Sequence, residues 1–91
     1  MKFRLPPGAD EAAFLAADRR LQEEFAYQQP GLLRRTTARG EDGSWIMIAL
    51  WRSSAAADAA EARAEHDQPT RALRALLDFS SISVQRYQEL D

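Results

Sequence analysis

The stretch 45–51, WIMIALW, decides the fold, because every one of its side chains is apolar. A strand with water on one face alternates apolar and polar residues. This stretch does not alternate, so it predicts a strand at the centre of a sheet that needs cover on both faces. It is far shorter than the ~20 apolar residues that a membrane-spanning helix needs.

Turn-forming residues divide the rest of the chain around this strand. Glu41-Asp42-Gly43 predicts a hairpin to the strand before it. Pro6-Pro7-Gly8 ends a first short strand, and Pro30-Gly31 ends the helix that follows. The predicted elements are strands over 2–5, 32–39, 45–51 and 80–89, and helices from Asp10 to about Gln28, from Ala55 to Glu65 and from Pro69 onward.

The order of these elements is β-α-β-β-α-β, with the second helix in two pieces. This order predicts an α+β fold, a ferredoxin-like sandwich whose antiparallel sheet carries both helical segments on one face. The 91 residues are expected to form a single domain over 1–91.

Alternate residues of the central strand share a face. One set is Ile46, Ile48 and Leu50, and the other is Trp45, Met47, Ala49 and Trp51. We expect the aliphatic set to meet the helices and the set with both tryptophans to point away, although parity also permits the reverse. An apolar face left open indicates an interface. The sequence therefore predicts a homodimer in which two sheets pack face to face.

The composition excludes several classes of partner and chemistry. The net charge of −2 argues against nucleic acid or an anionic membrane as a partner. There is no cysteine, so disulfides and thiolate chemistry are excluded, and a cytoplasmic location is expected. The sequence contains neither a Gly-rich phosphate loop nor a nucleophile–base pair for a hydrolase.

These features resemble those of the antibiotic biosynthesis monooxygenase-like proteins, members of the dimeric α+β barrel superfamily. The element order carries the resemblance, together with Pro30-Gly31-Leu32-Leu33 at the start of the second strand and Trp51-Arg52-Ser53 before an Ala-rich helix. The resemblance implies a dimer with a pocket between helices and sheet in each protomer. Family members include cofactor-free oxygenases of polycyclic phenols and quinol-like substrates, and haem-degrading enzymes.

The haem-degrading branch of that family uses an Asn on the first strand, a Trp on the second helix and a His just beyond. This chain has no Asn, and both of its tryptophans lie on the third predicted strand. Its only histidine, His66, does not make that site alone. We therefore expect no haem and no other bound cofactor.

Three residues are candidates for catalysis: His66, Tyr27 and Arg86. His66 is the one side chain whose ordinary pKa lies near neutrality, and the alternative for it is an exposed position at a helix end. Tyr27 and Tyr87 are phenol donors, and Arg86 or Arg35 would bind an anionic oxygen. For each, the alternative is a structural role.

The remaining candidates concern ligand binding. Trp45 and Trp51 either stack on an aromatic ligand or fill the dimer core, and Arg35 and Tyr87 would contact a bound substrate. The small residues Ala56, Ala60 and Ala64 either bring the second helix close to the sheet or leave room for a ligand. Asp58, Glu61 and Glu65 share a helix face with solvent, so no metal site is expected.

Three functions follow from these patterns. The first is an enzyme of the resembled family, such as a cofactor-free oxygenase or isomerase of an aromatic or polyketide-like substrate. The others are a non-catalytic module that binds a small apolar or aromatic molecule, and a domain that only dimerises. A pocket of several hundred cubic ångströms lined by Tyr, Arg or His would distinguish the enzyme from the other two.

Overall fold

A small antiparallel sheet with helices on one side forms the protein, and the computed structural model describes all 91 residues. The elements are β1 (Lys2–Phe3), α1 (Glu11–Glu24), β2 (Leu32–Arg39), β3 (Trp45–Trp51), α2 (Ser54–Ala64) and α3 (Gln68–Arg74), with 3-10 turns at Ala26–Gln28 and Phe79–Ser81. The strand order is β1-β3-β2. The α+β class, the antiparallel sheet and the central place of β3 are therefore confirmed.

Each helix begins where the sequence offers a capping side chain. Asp10, Ser53 and Asp67 each accept the backbone N–H of the residue three positions ahead. Such a bond satisfies one of the unpaired N–H groups at the start of a helix. Pro69 lies in the first turn of α3, where its missing N–H costs nothing.

The fourth strand predicted over 80–89 is wrong. The carboxylate of Asp78 accepts the backbone N–H and the hydroxyl of Ser80 at 3.1 and 2.7 Å, which directs the chain into a 3-10 turn. A single antiparallel bridge between Lys2 and Ser83 follows. Because β1 is only two residues long, it offers no edge for a longer ladder, and residues 85–91 form neither helix nor strand.

The two faces of β3 are the reverse of those expected. Trp45 is 6% exposed and its ring lies against Phe14 of α1, whereas Ile48 and Leu50 are 53% and 39% exposed. An aromatic ring buries more apolar area than a branched aliphatic side chain, so the helices cover the face that carries Trp45. The opposite face carries the half-buried Ile46 and the exposed Ile48 and Leu50, and we call it the open face.

The register of β2 extends both faces. Arg35, Thr37 and Arg39 stand opposite Ala49, Met47 and Trp45 on the helix side, while Arg34, Thr36 and Ala38 stand opposite the open-face residues of β3. A bulge at Leu33 shifts the register between Leu32 and Arg34. Leu32 thereby stands opposite Trp51 and packs against the core.

The core lies between the helix side of the sheet and the pair α1 and α3. Seven buried residues form it: Phe3, Phe14, Leu21, Ala26, Trp45, Leu73 and Leu77. The rings of Phe3, Phe14 and Trp45 pack in sequence, with centroids 5.6 and 4.8 Å apart and tilted planes.

The helix α2 approaches the sheet closely. A Cβ built on Gly31 would lie 2.7 Å from that of Ala56, and the φ of Gly31 is +87°, so this position requires glycine. The buried residues Ala57, Ala60 and Ala64 continue the contact. The small residues of α2 therefore serve close packing.

No helix of the protein has both the length and the apolar composition needed to cross a bilayer.

Candidate functional site

A polar cluster around the buried Arg35 joins α1 to the helix side of β2. The guanidinium of Arg35 is almost fully buried, and it donates to Asp18 Oδ1 at 2.8 Å and to Gln22 Oε1 at 3.2 Å. The hydroxyl of Tyr27 accepts from the backbone N of Arg35 at 3.1 Å and donates to its carbonyl at 3.2 Å. We call these residues the Arg35 cluster.

The polar groups of the Arg35 cluster form hydrogen bonds with one another. A buried guanidinium needs such partners, and here a carboxylate and an amide supply them. The hydroxyl of Tyr27 uses its donor and accepts one bond, so it has no free proton for a substrate. Beside the cluster on β2, Thr37 Oγ1 is buried without a hydrogen-bond partner.

The two tryptophans share a face but not a site. Trp45 is enclosed by Phe14 and by the guanidinium of Arg39, which lies 5.9 Å from its ring centre. Trp51 is half-buried at the other end of β3. Six residue steps of extended strand separate their Cα atoms by about 20 Å, too far for one aromatic ligand to contact both.

His66, Arg86 and Tyr87 lie apart from the Arg35 cluster on exposed segments. His66 is exposed just beyond the end of α2. Arg86 is bound by Asp58 at 2.7 Å and Glu61 at 3.0 Å, and these hydrogen-bonded carboxylates raise the pKa of Arg86 above its ordinary value. Tyr87 is 85% exposed, and its hydroxyl donates to Gln85.

An apolar cleft of about 240 Å³ opens between the loop after β1, the start of α1 and the residues that follow α3. Its lining is Leu5, Pro6, Pro7, Gly8, Ala9, Asp10, Ala13, Phe14, Ala75 and Leu76. Asp10 is the only titratable residue among them, and its carboxylate is already bonded to the N–H of Ala13 at 3.1 Å. The ring of Phe14 separates this cleft from Trp45 and the core.

A second, polar cleft of about 390 Å³ borders β1 and the hairpin. Its walls include Lys2, Arg4, Ser44 and Ser83, with the carboxylate of Asp42 held 3.3 Å from Arg4. Ser44 donates its hydroxyl and its backbone N–H to Asp42, which lowers the pKa of that carboxyl below its ordinary value. This cleft is open and carries mostly polar groups.

None of the predicted site residues lines either of these two clefts. The structure brings Tyr27 and Arg35 together and leaves His66, Arg86, Tyr87, Trp45 and Trp51 elsewhere. No group of three or more His, Asp or Glu side chains is placed to hold a metal ion. Sequence reasoning missed the apolar cleft, for which the available signal was the rigid Pro6-Pro7 loop directly before a helix cap.

The sequence model of the antibiotic biosynthesis monooxygenase family matches residues 1–69 of the 91, and the chain belongs to this family. The resemblance seen in the sequence is thereby confirmed. The matched region runs from β1 through α2 and includes Phe14, the Arg35 cluster and β3. No curated protein and no solved structure gives a match.

Proposed function

We propose that the protein is a homodimer that binds a small apolar or aromatic molecule in the apolar cleft. The observation that carries this proposal is the cleft itself, an apolar concavity on the helix side of a family fold associated with small-molecule chemistry. Ligand sites are commonly apolar clefts of this kind with few polar groups.

The volume of the cleft restricts the ligand to about one ring. Its 240 Å³ is below the roughly 300–1,000 Å³ typical of drug-sized sites. It exceeds the roughly 150 Å³ of an apolar cavity that accepts benzene. A monocyclic phenol or a ligand of similar size fits these limits, and a polycyclic substrate would exceed them.

Binding has more support than turnover. The only carboxylate at the cleft caps α1, and the lining contains no Tyr, His or Arg. General acid–base catalysis requires a titratable group within hydrogen-bond reach of the reacting proton. The second candidate function, a cofactor-free oxygenase reaction at this cleft, is favoured by the family match alone.

The dimer would form through the open face. Ile48 and Leu50 expose apolar side chains on the central strand, whereas the solvent face of an antiparallel sheet normally carries polar residues. Exposed apolar patches of this kind mark interfaces. A two-fold axis through the open face would bring the same three aliphatic residues of each copy together.

Binding is tested with a panel of monocyclic phenols, quinols and benzoates, by thermal shift and by amide chemical-shift changes. The expected result is a rise in melting temperature, with shifts centred on the loop at 5–9. Ala75→Trp fills the cleft and should abolish the effect, while Ala59→Trp, on an exposed position of α2, should leave it intact. Shifts elsewhere, or none with any compound, would refute the proposed site.

To distinguish binding from turnover, the protein is incubated in aerated buffer with the ligand that it binds. Mass spectrometry of the recovered ligand, with an oxygen electrode, should show it unchanged and no oxygen consumed. A product that has gained one oxygen atom and lost two hydrogen atoms, with the second oxygen atom of O2 released as water, would favour the oxygenase if the wild type forms it and Ala75→Trp does not.

A further inference from the structure

The polar cleft beside β1 and the hairpin has an almost entirely hydrophilic lining. Its seven residues are Lys2, Phe3, Arg4, Asp42, Ser44, Ser81 and Ser83. Phe3 is the one hydrophobic residue among them, and its ring is buried against Phe14 in the core. The cleft therefore suits a polar ligand, in contrast to the apolar cleft described above.

The hydrogen-bond acceptors of the polar cleft are already bonded within the chain. Asp42 Oδ1 accepts the backbone N–H and the hydroxyl of Ser44 at 3.0 and 2.6 Å, and Asp42 Oδ2 accepts from Arg4 at 3.3 Å. The hydroxyl of Ser81 accepts the backbone N–H of Arg4 at 2.8 Å and donates to the carbonyl of Asp78 at 2.6 Å. Little acceptor capacity is left for a ligand.

The free hydrogen-bonding groups of the polar cleft are donors. The ammonium of Lys2 carries three N–H donors and the hydroxyl of Ser83 carries one, and neither group makes a hydrogen bond within the chain. Arg4 donates to the carbonyl and to the carboxylate of Asp42, which leaves the rest of its five N–H donors free. Lys2 and Ser83 exchange both backbone hydrogen bonds, at 2.8 and 2.9 Å, so their side chains leave the sheet side by side.

We infer that the polar cleft binds a small oxyanion, the carboxylate or phosphate group of a polar ligand. Lys2, Ser83 and the free N–H groups of Arg4 would donate to its oxygens. Hydrogen bonds between charged groups are roughly twice as strong as neutral ones. Two cations against one carboxylate also leave the lining with a net positive charge. The volume of about 390 Å³ has room for the oxyanion and a small polar group attached to it. This site is separate from the apolar cleft and does not depend on the proposed function.

The first test is an amide chemical-shift titration with inorganic phosphate and, separately, with succinate, at an ionic strength held constant with sodium chloride. Saturable shifts centred on residues 2–4, 42–44 and 81–83 are expected, and the anion that binds more tightly identifies the preferred group. Lys2→Gln should raise the Kd about tenfold, because it removes a charged donor. Arg19→Gln, an equal loss of charge at an exposed position of α1 without an ion pair, should leave the Kd unchanged.

The second test uses Ser83→Asp, which places a carboxylate beside Lys2. The chain would then supply the polar cleft with its own oxyanion, so binding of both anions should be lost while the far-UV circular dichroism spectrum stays that of the folded protein. Ser83→Ala removes one neutral donor and should weaken binding by a smaller factor than Lys2→Gln. The inference is overturned if neither anion gives a saturable shift, or if Lys2→Gln and Arg19→Gln weaken binding equally. Undiminished binding to folded Ser83→Asp would overturn it as well.

Discussion

The two faces of β3 have similar composition but different surroundings. On the helix side, Trp45 is sealed by Phe14, and the neighbouring strand contributes a buried ion pair from Arg35 to Asp18. On the open face, Ile48 is 53% exposed. An apolar strand thus supplies two surfaces, and only one of them is used to fold the chain.

The difference is an energetic one. Burying a side chain of the size of Ile or Leu contributes about 1.5–3 kcal/mol relative to leaving it exposed. The helix side gains this free energy within the chain, whereas the open face gains it only on association. Changes on the helix side should therefore lower the stability of the protomer, and changes on the open face should alter assembly.

The largest expected effect is at Trp45. Trp45→Ala should lower the free energy of unfolding by about 3–5 kcal/mol, because it leaves a cavity against Phe14. Urea denaturation measures the change. Trp51→Ala, at a half-buried position on the same strand, is the matched control and should cost clearly less. Equal losses would mean that the two ends of the helix side are packed alike.

Breaking the buried ion pair should cost about as much or slightly less. Asp18→Ala leaves the buried guanidinium of Arg35 without its carboxylate, and losing one partner of such a pair costs about 3–5 kcal/mol. The double variant Asp18→Leu/Arg35→Met removes both charges and should recover most of the loss. If the double variant is as unstable as Asp18→Ala, shape and not charge governs the cluster.

On the open face, Ile48→Glu should change assembly and leave the fold intact. The exposed position tolerates a carboxylate in the monomer, and surface changes usually alter stability by less than about 0.5 kcal/mol. Two carboxylates near the two-fold axis would prevent association. Light scattering should then show a monomer with an unchanged far-UV circular dichroism spectrum. A dimer that survives this change would place the interface elsewhere.

A pair of isosteric changes compares the two faces directly. Thr37→Val removes a buried hydroxyl that lacks a hydrogen-bond partner, and should raise the free energy of unfolding by about 1 kcal/mol. Thr36→Val, one residue earlier on the opposite face, should be nearly neutral in the protomer. Thermal unfolding at dilute concentration measures both. A loss of stability in Thr37→Val would show that the hydroxyl has a partner such as water.

The smallest effect concerns pH at the hairpin that joins the two strands. The folded protein lowers the pKa of Asp42 below 3.8 through hydrogen bonds from Ser44, so the ionised carboxylate favours folding. This contribution is present above the ordinary value and is lost as the pH falls through the lowered one. Asp42→Asn should therefore be less stable than the wild type at pH 7, with the difference vanishing at strongly acidic pH. A constant difference would exclude ionisation as the cause.

Much of the fold could be predicted from the sequence because local signals determine it. The proline and glycine turns, the capping residues and the unbroken apolar run of β3 gave the helices and the central strand. The face of β3 that the helices cover could not be predicted. The alternation of side chains along a strand shows which residues share a face, but not which face is covered. The prediction of a last strand over 80–89 was wrong because such a strand needs an edge to pair with, and β1 supplies only two residues.

The candidate site could be predicted less well from the sequence, for a similar reason. Tyr27 and Arg35 were singled out separately, but their mutual bonds and the role of Asp18 depend on how α1 crosses β2. The apolar cleft combines residues 5–14 with Ala75 and Leu76, which are distant in the chain. No local pattern indicates that such segments meet, and the single-residue candidates His66 and Tyr87 proved to be exposed.

The mass of the wild-type protein in solution tests the central claim most directly. Sedimentation velocity at micromolar concentration should give twice the mass of one chain, with a fraction of monomer that grows on dilution. A single species with the mass of one chain across this range would contradict the account, because the open face would then remain exposed to water.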